Sequence, residues 1–157
     1  MVRERITTVR DAGFSMIELL VVIAMIGILA VLGMPSLLSY WRSSTTTAGA
    51  AELATVLNRA RQLAIAGNQN YCAEVSGTVV RYRQNSSAAC AGGAVWVGTG
   101  TRSDGTVPLT NNLTVAGGPV VFTSLGAAVL AGTFTVTNPN GGTRNVVVAA
   151  SGRVSLQ

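Results

Sequence analysis

Residues 13–41 read GFSMIELLVVIAMIGILAVLGMPSLLSYW. Between Glu18 and Arg42 no residue carries a charge, and Leu, Ile, Val, Ala and Met fill most positions. At about 1.5 Å of rise per residue, a helix over this stretch is long enough to cross a hydrocarbon layer about 30 Å thick. Glu18 stands out just inside its N-terminal end. An unpaired charge in hydrocarbon costs about 2.5–3.5 kcal/mol on insertion scales, so this carboxylate needs a partner. Pro35 has no N–H and its ring crowds the carbonyl of Val31, which, with Gly33 nearby, predicts a helix kink or loosening. Tyr40 and Trp41 fit an aromatic anchor at the membrane–water boundary, and equally fit packing on a soluble domain; Arg42 marks the return to water.

Upstream, Arg3, Arg5 and Arg10 stand against Glu4 and Asp11. The positive-inside rule holds this end in the cytoplasm and sends the C-terminal part across the membrane. An ordinary secretory signal has a shorter apolar region followed by a small-residue cleavage site; here Gly13 precedes the run. The 157 residues leave room for one modest domain beyond the span. Histidine and lysine are both absent. That excludes a Ser-His or Cys-His pair, a His-ligated metal and a His general base. Beyond Gly13 the acids are Glu18, Glu52, Glu74 and Asp104, too scattered to suggest a catalytic pair. Enzyme activity is the least supported class, and neither a cofactor nor a metal is expected. The net charge of +5 rests on arginine and permits contact with acidic lipid, nucleic acid or an acidic protein without selecting among them.

Residues 43–49 are small and polar, with three threonines in a row, and their weak helix propensity predicts a break or a frayed turn. From Ala50 an apolar stripe returns. Leu53, Val56, Leu57, Ala60, Leu63 and Ala64 share one helical face, with Glu52, Asn58, Arg59, Arg61 and Gln62 outward and Gly67 offering a C-terminal cap. After Asn70 the period changes. Strands are expected at 71–75, 78–84, 94–99, 113–115, 120–123, 133–137, 144–149 and 153–156, separated by turns such as Ser76-Gly77 and Asp104-Gly105. No repeat or long linker divides the remainder. The expected class is α+β: a long N-terminal helix, one half membrane-spanning (14–41) and one amphipathic (42–69), packed on antiparallel sheets built from 70–157.

Cys72 and Cys90 are the only cysteines. In an oxidising compartment they suit one disulfide worth about 3 kcal/mol; the alternative is a buried thiol at Cys72 and an exposed one at Cys90. Arg81 and Arg83 alternate along one expected strand and share a face opposite Val80 and Tyr82.

Residues 13–20, GFSMIELL, resemble the prepilin signature of type IV pilins and type II secretion pseudopilins, and the following VVIAMIGILA and Pro35 are similar too. The resemblance implies a leader peptide over 1–13, cut between Gly13 and Phe14 by a membrane prepilin peptidase that also methylates the new Phe14 amine. It implies a pilin-like fold and a single-pass protein of the bacterial inner membrane with a periplasmic domain. Its partners would be other pilins or pseudopilins in a helical filament. Glu18 takes the place of the family's glutamate, four residues beyond Phe14 and so one helical turn away. A buried carboxylate is tolerable when it meets a buried cation, and the amine of Phe14 on a neighbouring subunit is such a partner. The plainer alternative is that Glu18 snorkels to the headgroups.

Residues 52–69, ELATVLNRARQLAIAGNQ, are similar to the GspH/FimT branch of minor pilins and pseudopilins. Leu57, Ala60, Arg61, Ala64 and Ile65 occupy the branch pattern L-x-x-A-R-x-x-A-I. The resemblance implies a subunit at the filament tip or in initiation, in a type II secretion pseudopilus or a type IV pilus. FimT-like members implicated in DNA uptake carry G-R-x-R near the C-terminus; here Gly152-Arg153-Val154-Ser155 keeps the first half and has serine for the second arginine. DNA binding through Arg81, Arg83 and Arg153 is the alternative function, and it would be steeply salt-dependent.

Overall fold

The computed structural model describes residues 13–157 apart from 85, 86, 88, 89, 111 and 140. The expected leader therefore lies outside the described residues except for Gly13. A single helix, α1, spans Met16–Ala66, and the chain divides into two compact units between Leu38 and Ser39. In the first unit every described residue is exposed, and the helix there is long and apolar enough to cross a membrane.

Among the described residues the second unit holds the rest of α1 and ten strands. The six-stranded sheet has the order β3-β2-β1-β6-β7, with β4 also on β2. Its members are β1 (Tyr71–Ser76), β2 (Val79–Gln84), β3 (Ala94–Val95), β4 (Thr106–Pro108), β6 (Val120–Phe122) and β7 (Ala128–Leu130). The four-stranded sheet, β10-β9-β8-β5, contains β5 (Thr114–Ala116), β8 (Gly132–Thr137), β9 (Thr143–Val148) and β10 (Val154–Leu156). All pairings are antiparallel. The long helix packed on antiparallel sheets is the α+β architecture that the change of hydrophobic period predicts.

One core joins the helix to both sheets. Leu53, Leu57, Ala60 and Ala64 are fully buried along one face of α1, against Tyr82 and Phe122 of the first sheet and Phe134, Val136 and Val146 of the second. Burying a Leu or Phe side chain contributes about 1.5–3 kcal/mol, so this stripe decides where the helix sits on the domain.

The threonine segment does not break the helix. Thr45 and Thr46 donate to the carbonyl of Arg42 at 3.0 and 2.8 Å, and Thr47 to that of Ser43 at 2.9 Å. The hydroxyls thus bond back to the helix instead of competing with it. Thr46 and Gly49 are also buried, and a Cβ on Gly49 would run into the side chain of Leu113. Tertiary burial offsets the poor propensity.

The C-terminal cap falls one residue later than expected. Asn68 N–H donates to Ile65 and Gln69 N–H to Ala64, at 3.3 and 3.2 Å, and Asn68 takes the left-handed conformation, φ 47°. This is the Schellman arrangement with asparagine in place of glycine. The strand expected over 94–99 shrinks to Ala94–Val95, because Thr101 Oγ1 bonds both the N–H and the carbonyl of Gly98 and turns the chain there. The three-residue strands β4 and β7 are additional; too short to show a period, they are recruited by pairing with β2 and β6.

Cys72 and Cys90 form a disulfide with Cα atoms 5.5 Å apart. With Val121 they make a small buried cluster separate from the main core. The bridge closes a loop of 18 residues and restricts the unfolded chain. Replacing both cysteines by serine lowers stability by about 3 kcal/mol, read as a fall in the urea midpoint, with the m-value rising as the unfolded chain expands.

Candidate functional site

Two features carry chemistry: the apolar first unit with its single acid among the described residues, and the polar side chains around the helix–sheet junction. At the start of α1 the carbonyl of Ser15 accepts from the N–H groups of Glu18 and Leu19 at 3.0 and 3.2 Å. Glu18 thus sits in the first turn, where a carboxylate also meets the positive end of the helix dipole. Among the described residues it has no ion-pair partner. The large apolar side chains of the same unit, from Phe14 and Ile17 to Leu37 and Leu38, are all exposed. A helix apolar all round needs a lipid or protein environment on every face.

The arginines divide differently. Val80 and Tyr82 of β2 are completely buried, and Arg81 and Arg83 face the other way, half-buried. Arg83 Nε donates to Glu74 Oε2 at 2.9 Å, and its Nη1 to the carbonyl of Gly93 at 3.2 Å. Arg81 stands opposite Glu74 in the β1–β2 register, and its Nε is buried without a hydrogen-bond partner among the described residues. Arg153 is exposed just before β10, in the other sheet. The three arginines are therefore not gathered on one sheet, and the charge of Arg83 is already matched.

Several helix side chains expected to look outward instead tie the helix to the loops. Glu52 Oε2 accepts from the hydroxyl and N–H of Thr110 at 2.6 and 3.1 Å. The guanidinium of Arg59 lies 5.8 Å from the centre of the Trp96 ring, which in turn meets Tyr82 edge-on. Arg61 Nε donates to the carbonyl of Gly126 at 2.8 Å. Gly126 and Gly152 both have left-handed φ, 79° and 77°, and a Cβ on Gly152 would collide with the carbonyl of Gly126. The arginine of the helix motif and the glycine of the C-terminal motif thus meet at one peptide group. Residue types flagged both positions, but only the fold brings them together.

Tyr82 is the other buried polar anchor. Its hydroxyl donates to the carbonyl of Val56 at 2.9 Å, and burial pushes its pKa up from 10.0 to about 12 against the opposing charge of Arg59. Among the described residues no group of three or more His, Cys, Asp or Glu could hold a metal ion.

Two family models match. That of the type II transport protein GspH covers residues 49–152, and that of the prokaryotic N-terminal methylation motif covers 9–34. No curated protein sequence matches. Among solved structures, the type IV minor pilin FimU of Pseudomonas aeruginosa is similar at 19% identity over 73% of this chain and 89% of its own, with a TM-score of 0.52. The minor pseudopilin EpsH from the type 2 secretion system of Vibrio cholerae is similar at 12% identity over 73% and 94%, with a TM-score of 0.55. At these identities the two structures speak for the fold.

Two measurements check the junction. Gly152→Ala destabilises by about 2 kcal/mol or more, from left-handed strain plus the collision, and Arg61→Ala by about 1.5–3 kcal/mol. Because both act on Gly126, denaturation of the double variant gives less than their sum. Protonated Tyr82 is favoured by the folded state, so its contribution is complete below pH 10 and lost as pH rises towards 12. Alkaline titration shows a tyrosine ionisation near 12 that vanishes in Tyr82→Phe, along with that part of the stability loss.

Proposed function

The chain belongs to the type II transport protein GspH family, and from that premise we propose that it is a filament subunit which acts at the tip or in initiation. Membership makes it a minor pilin or pseudopilin, a structural subunit whose N-terminal helix serves assembly and not catalysis. The observation that carries the reading is Glu18, the only charge among the described residues of the apolar and exposed first unit, without an ion-pair partner among the described residues.

In this reading the prepilin peptidase cuts between Gly13 and Phe14 and methylates the Phe14 amine. The methylation-motif match over 9–34 includes this junction. Before assembly the helix anchors the chain in the inner membrane, with the sheet domain on the periplasmic side. On assembly Glu18 accepts the Phe14 amine of the neighbouring subunit, each charge relieving the other in a place with no water. The same contact repeated head to tail builds a helical filament and not a closed ring, and Pro35 supplies a joint that lets the helix follow the filament axis. The DNA-binding alternative has less support, since Glu74 matches the charge of Arg83 and Arg153 precedes a strand of the other sheet.

Mass spectrometry of the protein from cells with an active prepilin peptidase finds a polypeptide beginning at methylated Phe14; one still beginning at Met1 overturns the processing step. Glu18→Ala is still cleaved and inserted, but its recovery in sheared fibres falls more than about tenfold, because an unmatched amine is left buried in each contact. Undiminished recovery sinks the pairing. Immunogold labelling marks one end of the fibre; labelling along the whole length removes the tip or initiation assignment.

A further inference from the structure

A cleft of about 320 Å³ opens between the first helical turns of the sheet domain and the β8–β9 turn, lined by Ser39, Arg42, Ser43, Thr46, the Gly141–Gly142 pair, Thr143 and Arg144. Its walls are built and not incidental. Asn138 Nδ2 donates to Thr45 Oγ1 at 2.9 Å and clamps the turn onto the helix. Asn138 N–H in turn bonds the carbonyl of Gly142 at 3.0 Å. Gly142, at φ 116°, comes so close that a Cβ there would lie 3.1 Å from Thr46 Oγ1. Both charged residues of the lining are cationic, Arg42 and Arg144; both are exposed, and among the described residues neither has an ion-pair partner. Ser43, Thr143 and the two glycines complete the lining. Two guanidinium forks, hydroxyl donors and backbone open to close approach are the chemistry that recognises a phosphate.

The sequence position of Arg42 narrows the choice of phosphate. Arg42 follows the last residue of the apolar unit, Leu38, by four positions, about 6 Å along a helix. The headgroup layer on each side of a bilayer is about 5–8 Å thick. Tyr40 and Trp41, both exposed, occupy the interval and suit that boundary. We infer that the Arg42–Arg144 cleft binds the phosphodiester of an anionic phospholipid headgroup and docks the sheet domain on the membrane surface before assembly. The inference rests on the membrane-anchored reading alone. Its readout is bound lipid and not fibre formation, so its failure is distinct from failure of Glu18 pairing.

The test is native mass spectrometry of the full chain in mild detergent, incubated with equal amounts of phosphatidylglycerol and phosphatidylcholine. The expected result is preferential retention of phosphatidylglycerol, reduced about fivefold by Arg42→Gln and by Arg144→Gln and unchanged by Arg102→Gln, an exposed arginine outside the cleft. Arg144→Lys, which keeps the charge, retains most of the preference and separates charge loss from damage to the turn. Equal retention of the two lipids, or an equal loss in Arg102→Gln, overturns the site. Inorganic phosphate distinguishes the source: if millimolar phosphate displaces the lipid with the same arginine dependence, the cleft is a free-anion site and the lipid assignment falls.

Discussion

A carboxylate surrounded by hydrocarbon is either neutral or paired. Glu18 is one of six acids in the chain, and it stands in a helix whose neighbouring side chains are apolar and exposed on every side. Within one subunit nothing among the described residues answers its charge. In the proposed reading the demand passes from folding to association: the isolated subunit keeps an unmet electrostatic requirement that a neighbour's amine would remove. In the same reading the exposed apolar surface of this helix would be covered first by lipid and later by the helices of neighbours.

The second unit follows a different logic. Its core is self-sufficient, with Leu53, Leu57, Ala60 and Ala64 of the helix closing over residues from both sheets. What prevents the helix from sliding on those sheets is a set of polar contacts at its margins. Glu52 holds the Thr110 segment, Arg59 lies over Trp96, Arg61 grips the carbonyl of Gly126, and Tyr82 reaches back to Val56. Hydrophobic burial is non-directional, so it positions the helix face without settling its register, and hydrogen bonds to particular peptide groups supply the register. The Cys72–Cys90 bridge ties the loop after β2 to β1 on the opposite side of the first sheet, away from this junction.

The threonine segment opens the part of the helix that packs on the sheets. Thr45, Thr46 and Thr47 carry the helix across a stretch of low propensity by bonding their hydroxyls to its own carbonyls. Thr46 and Gly49 meanwhile give the β8–β9 turn and Leu113 room to pack against the helix. The same small residues that weaken the helix in isolation are what allow close packing, and close packing is what creates the wall of the arginine cleft.

Much was readable from residue order because it depends on local pattern. The uncharged run, the lone Glu18, the apolar stripe from Leu53 to Ala64 and the alternation in β2 all follow from periods that a helix or a strand imposes on its own residues. The resemblance of residues 13–20 and 52–69 to the pilin signatures rests on the same kind of contiguous evidence. What local pattern could not supply is anything set by partners distant in the chain. The unbroken helix through residues 43–49 depends on burial beneath segments some 60 to 90 residues away. The short strands β4 and β7 exist because β2 and β6 offer them edges. Arg61, Gly126 and Gly152 become one junction, and Arg42 and Arg144 one cleft, only when the sheets fold back on the helix. Periodicity is a property of neighbours in sequence; convergence belongs to the folded chain, where burial and hydrogen bonding can outweigh the preference of any single segment.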